Sequence, residues 1–295
     1  MKKRLLNSLI FWLILLCSIP ANSQDLDVLL DKESKPQTTD AAATFKSTRI
    51  INGHSIERMK KNQLEFRVSH RFDQINTGGY NFWGLDFGKI HLALEYGLTD
   101  WLEIGIGRSS YNKTFDGFGK VSILRQSKGD KNIPVHLSYL FSTEYISSNT
   151  DTLMQNAPSR MSFIQQILIA RKINESISVQ LTPTYIHRNQ VPTELDKNDL
   201  FALGIGGRYK LSKRTALNVE YYYVYRANAS SLPVTYYNPL SVGIDIETGG
   251  HVFQIMITNA QAMREGGFIG QTTGSWSDGG IHLGFNISRV FSFNK

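Results

Sequence analysis

In the stretch "HLSYLFS", His136 and Ser138 stand two residues apart. Residues i and i+2 of an extended strand share a face, so an imidazole there could take the proton of the neighbouring hydroxyl, as a base and nucleophile do in covalent hydrolysis. A second group, His91, Glu95 and Glu103, places an imidazole and two carboxylates on the arms of "HLALEYGLTDWLEIGIG", donors that suit a metal ion. Each group also has a plainer reading. Histidines, serines and carboxylates on one face of a strand line a water-filled interior, and inward carboxylates are common in wet barrels. The second reading is preferred, so no cofactor or metal is expected and an enzyme is the less favoured class.

The choice between these readings falls to the elements that position the residues. Around "GLTDW" the apolar residues alternate: Leu92, Leu94 and Tyr96 before it, Leu102, Ile104 and Ile106 after it. The opposite face carries Ala93, Glu95, Gly97, Glu103, Gly105 and Gly107. That is a β-hairpin with one greasy face. The same alternation runs through "QLEFRVSHRF", with Leu64, Phe66, Val68, His70 and Phe72 against Glu65, Arg67 and Arg71. It continues over 89–98, 101–108, 117–126, 133–145, 161–172, 176–187, 198–210, 215–225, 240–248, 251–259 and 280–291, which makes twelve strands. Most have the 9–11 residues or so that a tilted strand needs to cross a bilayer.

The connections carry independent information. Longer ones (73–88, 109–116, 146–160, 188–197, 226–239 and 260–279) alternate with "TD", "SKGDKN", "INE", "LSKR" and "GG". Outer-membrane barrels have short periplasmic turns and long outer loops, whereas a soluble sandwich has no reason to sort its loops by parity. The fold expected is therefore all-β: a single antiparallel up-and-down transmembrane β-barrel of about twelve strands, with an irregular N-terminal periplasmic segment. Trp101 and the outward Tyr221, Tyr223 and Tyr225 fall where interfacial aromatic girdles belong.

The chain begins "MKKR" and continues "LLNSLIFWLILLCSIP", a basic start and a short apolar core that form a secretory signal peptide over 1–23. Ala21 and Ser23 fit the cleavage site, giving a mature start at Gln24. Cys17 is the only cysteine, and Leu16 before it does not suit lipoprotein processing. Removing Lys2, Lys3 and Arg4 takes the formal charge from +7 to +4 (7 − 3), a modest excess that gives no reason to expect nucleic acid. No later run of about 18 apolar residues offers a membrane helix. The barrel occupies 62–295, and 24–61 reads as a mobile periplasmic leader in which "NGHS" (52–55) could turn into the lumen as a plug.

The segments "STRIINGHSIE", "HRFDQINTGGYNFWGLDFGKIHLALEYGLTDWLEIGIGRSSYNKTFDGF" and "GFNISRVFSF" resemble an uncharacterised family of outer-membrane β-barrel proteins from Bacteroidota, a domain of unknown function. The resemblance implies the fold and the outer membrane and transfers no catalytic residues. The spacing of His136 and Ser138 is similar to the pair of twelve-strand outer-membrane phospholipases, but the surrounding glycine and asparagine pattern of those enzymes is missing. Those enzymes also present the pair to lipid, whereas here both residues point inward.

The expected lumen charges are Arg67, Arg71, Lys89 and Arg208 against Glu65, Glu95, Glu103, Glu144, Glu220, Asp245 and Glu247, with His91 beside them. Such a mixture suits cross-strand ion pairs or a weakly selective passage, and it offers partners to Arg49, His54 and Glu57 of the leader. The expected role is a porin-like channel or binding barrel for a small polar solute, in contact with outer-membrane lipid and the barrel-insertion machinery. A closed docking barrel that engages another envelope protein and a barrel-borne lipid hydrolase are the alternatives.

Overall fold

The computed structural model describes residues 38–148, 156–227 and 229–293. The expected signal peptide over 1–23, the leader up to residue 37 and the last two residues lie outside the described residues.

Twelve strands form one closed antiparallel barrel. They are β1 (Gln63–Gln74), β2 (Gly88–Gly97), β3 (Leu102–Ser109), β4 (Thr114–Leu124), β5 (His136–Ile146) and β6 (Met161–Lys172), then β7 (Ile177–Arg188), β8 (Asp199–Lys210), β9 (Thr215–Tyr225), β10 (Leu240–Thr248), β11 (His251–Thr258) and β12 (His282–Ser292). Each pairs with its neighbours in sequence, and β12 closes on β1 through pairs such as Ile287↔Val68. Closure leaves no free edge, which the bilayer interior demands.

Period-two patterning fixes the two faces. Along β7, Ser178, Gln180, Thr182 and Thr184 are buried inside, whereas Ile177, Val179 and Leu181 are exposed outside. Leu92, Leu94, Ile104 and Ile106 are likewise exposed around the wall, as are Trp101, Tyr223 and Tyr225. The tightest connection is "GG": Gly249 and Gly250 both have positive φ (47° and 104°), as a two-residue hairpin between right-twisted strands requires.

Two connections depart from the expected parity. β4 starts at Thr114 rather than near 117, so the outer connection before it shrinks to 110–113. Gly117 and Gly119 blur the alternation there. On the other side the connection 125–135 is long because it carries extra structure: Ser127 bridges Ile133, and Thr39–Asp40 pairs antiparallel with Ser127–Lys128. The chain leading into the barrel is thus fastened at that mouth.

Candidate functional site

An eight-strand barrel is just filled by its own side chains, while sixteen strands leave a channel. Twelve strands with a polar inner wall leave room for water or for more chain, and here two stretches of chain enter.

From the short-connection mouth, residues 44–59 run into the lumen as a hairpin. Ile50 N–H donates to Gly53 O (2.9 Å) and Ser55 N–H to Thr48 O (2.8 Å). The wall receives its tip through main-chain groups. Glu220 of β9 accepts the N–H groups of Ile51 (3.3 Å), Asn52 (3.1 Å) and Gly53 (2.9 Å), a charge-assisted cap stronger than neutral hydrogen bonds. Gln254, Asn286 and Gln180 donate to the carbonyls of Ile50 (3.0 Å), Ile51 (2.9 Å) and His54 (2.8 Å). Arg71 donates to Asn52 Oδ1 (2.8 Å), and Asn52 Nδ2 donates to Ser241 (2.9 Å). A Cβ at Gly53 would lie 3.2 Å from Glu220 Oε2 and 3.3 Å from Tyr222 Cζ, nearer still to its hydroxyl, so only glycine lets the tip sit flush. Phe45, Ile50, Ile51 and Ile56 add an apolar anchor against Leu168, Ala170 and Met256.

From the other mouth, the connection 259–281 folds inward, contrary to the expectation of an outer loop. It contains a short helix, α1 (Glu265–Gly270), buried along its length. Ala260, Phe268 and Ile269 pack with Ile164, Ile186, Leu200, Tyr222 and Val224 of the wall. Arg264 pairs with Glu144, whose other oxygen accepts Gly266 N–H (2.7 Å).

The two inserts meet at one carboxylate. Arg49 Nη1 of the hairpin lies 2.6 Å from Glu265 Oε1 of the loop, and its Nε lies 3.6 Å from Glu95 Oε1 of the wall. Glu95 also accepts from Thr48 (2.6 Å) and faces Arg67 (3.5 Å), which pairs with Glu65. A buried charge is tolerated only when paired, and this chain alternates in sign from wall to hairpin to loop. Burial opposes the charge on Arg49, but Glu265 and then Glu95 raise its pKa above the ordinary guanidinium value. His54 is fully buried against Phe118 (ring centroids 4.4 Å apart). Its Nε2 lies 3.6 Å from Glu265 Oε1, yet burial, then Arg49 and Lys120, push its pKa well below the usual imidazole range.

The residues singled out from sequence are dispersed among structural partners. His136 and Ser138 both face inward, but His136 Nε2 lies 3.0 Å from Thr44 Oγ1 and Nδ1 accepts Gln126 N–H (3.2 Å), so both ring nitrogens are engaged away from Ser138. His91 pairs with Asp116 (2.8 Å), Glu103 with Lys120 (2.9 Å), and Glu95 with the hairpin. Among the described residues no group of three or more His, Cys, Asp or Glu could hold a metal ion.

The remaining expected lumen residues divide between the inserts and the wall. Arg208 donates to Ala43 O (2.9 Å), Asp245 accepts from Gln254 (2.9 Å), and Glu247 pairs with Lys46. Lys89 is half-buried opposite Arg71. Sequence reasoning missed Asp116 and Lys120, hidden in the glycine-rich β4, and Arg264 and Glu265, assigned to an outer loop. Nothing in "MREGGFIG" signals that it turns inward.

A family model described as a membrane-bound β-barrel domain (DUF5777) matches residues 45–291. The chain belongs to this family. The match begins at Phe45, so the DUF5777 domain takes in the lumen hairpin as well as the strands. No curated protein matches the chain. Among solved structures it is similar to the NanC porin, at 8% identity over 79% of this chain and 100% of that one, with a TM-score of 0.51. The likeness shows a shared fold. The KdgM porin in complex with disordered oligogalacturonate (11% identity, 79% and 99% covered, TM-score 0.46) and Omp33 of Acinetobacter baumannii (7%, 78% and 99%, 0.41) are more distant in shape.

Proposed function

We propose that this DUF5777 barrel is an outer-membrane channel for a small polar solute, held shut by the 44–59 hairpin. One observation carries the reading: the lumen is closed by a separate stretch of chain, whose tip is received through hydrogen bonds to its backbone beside an apolar anchor, between polar walls that water could wet in its place. A barrel built only as a solid post would fill its interior with wall side chains. The hairpin comes from the mouth with mostly short connections, the periplasmic side on this reading. Export through a cleaved signal peptide over 1–23 and insertion by the barrel machinery complete the assignment. The porin fold shared with NanC is consistent with this role and does not carry it.

The filled lumen also suits a second reading, a closed barrel that docks an envelope partner. Swelling of liposomes containing the purified protein separates the two. Lacking residues 45–60, the protein should admit small sugars faster than the intact chain does. Equal impermeability of both, with the barrel folded, would favour the docking barrel.

A further inference from the structure

The outward face of the barrel wall carries a groove of about 460 Å3 across β5–β9. Two cross-strand rows of side chains frame it. Tyr139, Ile167, Pro183, Leu203 and Tyr223 stand abreast and form its floor. Tyr185, Phe201 and Tyr225, the next row toward the mouth with mostly long connections, form its upper side. Pro183 is a costly residue in mid-strand. Around it the odd-numbered residues of β7 turn their N–H toward β6, as Asn189 just past the strand does to Met161 O (3.1 Å). Proline has no N–H to donate, so Ile167 O opposite it loses its ladder donor, and the β6–β7 register breaks between Gln166↔Thr184 and Ile169↔Leu181. Unmet backbone groups are expensive in a bilayer. The short ring keeps the floor low, where a leucine such as Leu181 on the same face would fill it.

The groove has a direction. Tyr139 lies seven residues below the long-connection end of β5 (146 − 139) and Tyr223 only two below that of β9 (225 − 223), so the floor descends from the interface into the wall. Its four inter-strand steps span about 19 Å, the length of an extended palmitoyl chain. The Tyr139 hydroxyl donates to Gln165 Oε1 (3.2 Å) and closes the deep end. At the upper end Phe201 and Tyr225 also border a second hollow of about 120 Å3, which holds Asp196, Lys197, Asp199 and Arg226, two charges of each sign. Lys197 and Asp199 are the exposed pair, and Asp199 is fixed by Tyr185 (2.6 Å) and His187 (2.7 Å). A balanced rim is complementary to a zwitterion and not to a polyanion. We propose that the groove binds one acyl chain of an ethanolamine phospholipid, with the ammonium on Asp199 and the phosphate on Lys197. The site goes beyond the channel reading and does not depend on whether the hairpin leaves.

The test is native mass spectrometry of the delipidated, folded protein in non-ionic detergent, titrated with palmitoyl-oleoyl phosphatidylethanolamine or phosphatidylglycerol. One phosphatidylethanolamine should stay bound per barrel, about tenfold more tightly than phosphatidylglycerol. Leu203→Trp fills the floor and should weaken it about tenfold or more, whereas Ile205→Trp, at the next outward position of β8, should leave it unchanged. Asp199→Asn should turn the preference toward phosphatidylglycerol, which a merely structural role for Asp199 would not do. Heat-modifiable migration of each variant checks its fold. No bound lipid, equal binding of the two lipids, or equal loss in both tryptophan variants would overturn the site. A second copy of the chain bound in place of lipid, and lost in Leu203→Trp, would also overturn it and assign the groove to a dimer contact.

Discussion

The two lumen inserts occupy the same barrel and are held in different ways. The 259–281 loop is anchored at both ends by paired strands and buries a compact apolar cluster around Phe268 and Ile269. The 44–59 hairpin also buries Phe45, Ile50, Ile51 and Ile56, and its tip is held in addition by Glu220, Asn286, Gln254 and Gln180 on main-chain groups. Apolar burial, at about 1.5–3 kcal/mol per side chain, holds both inserts and has no substitute in water. Hydrogen bonds exchanged with water contribute only about 0.5–1.5 kcal/mol each. What differs is the tether: the loop is tied to barrel strands at both ends, the hairpin to β1 on one side and to the two-residue Thr39–Asp40 pairing on the other, so on the proposed reading the hairpin is the insert that leaves, and Arg49–Glu265 joins the two.

The strongest way to break this contrast is Gly53→Val. The added side chain collides with Tyr222 and Glu220, and the three-donor cap is lost. The hairpin should undock and become cleavable by trypsin at Lys46, Arg49 and Arg58, while the barrel stays heat-modifiable. Next, Arg49→Ala leaves Glu265 and Glu95 buried with a partner missing, at about 3–5 kcal/mol. It alone should loosen both inserts in proteolysis.

Phe268→Ala opens a cavity on the loop side, at about 3–5 kcal/mol when the site cannot collapse. It should lower the thermal midpoint without exposing the hairpin. His54 gives a smaller effect of defined sign. Its pKa falls well below 6.5 when docked, so its docking stability is present above about pH 6.5 and is lost below it, by up to about 1.4 kcal/mol per pH unit. Hairpin proteolysis should rise on acidification, and His54→Gln should flatten that rise. Ser138→Ala should leave phospholipid hydrolysis at background, as in the parent protein.

How much of this was legible in the sequence follows from which interactions are local. Alternation in "QLEFRVSHRF" or "SVQLTPTYI" is set by the pleat and announces inside and outside at once, so Glu65, Arg67, Glu95 and Glu220 are placed by counting. The start of β4 escapes because glycines at 117 and 119 blur the alternating signal, and with it Asp116; Lys120 lies inside the strand expected over 117–126, but the same blur hides which face it takes. The inward course of Arg264 and Glu265 rests on contacts with Glu144 and Arg49, more than a hundred residues away. Partnership at that distance leaves no local mark. The "NG" turn at 52–53 is visible as a turn, but that it meets Glu220 depends on the closed barrel.

Single-channel recording in a planar bilayer tests the central claim most directly, comparing the intact protein with one lacking residues 45–60. The account predicts rare or no openings in the intact protein and frequent discrete steps without the hairpin. Silence from the hairpin-deleted protein, inserted and heat-modifiable, would contradict it.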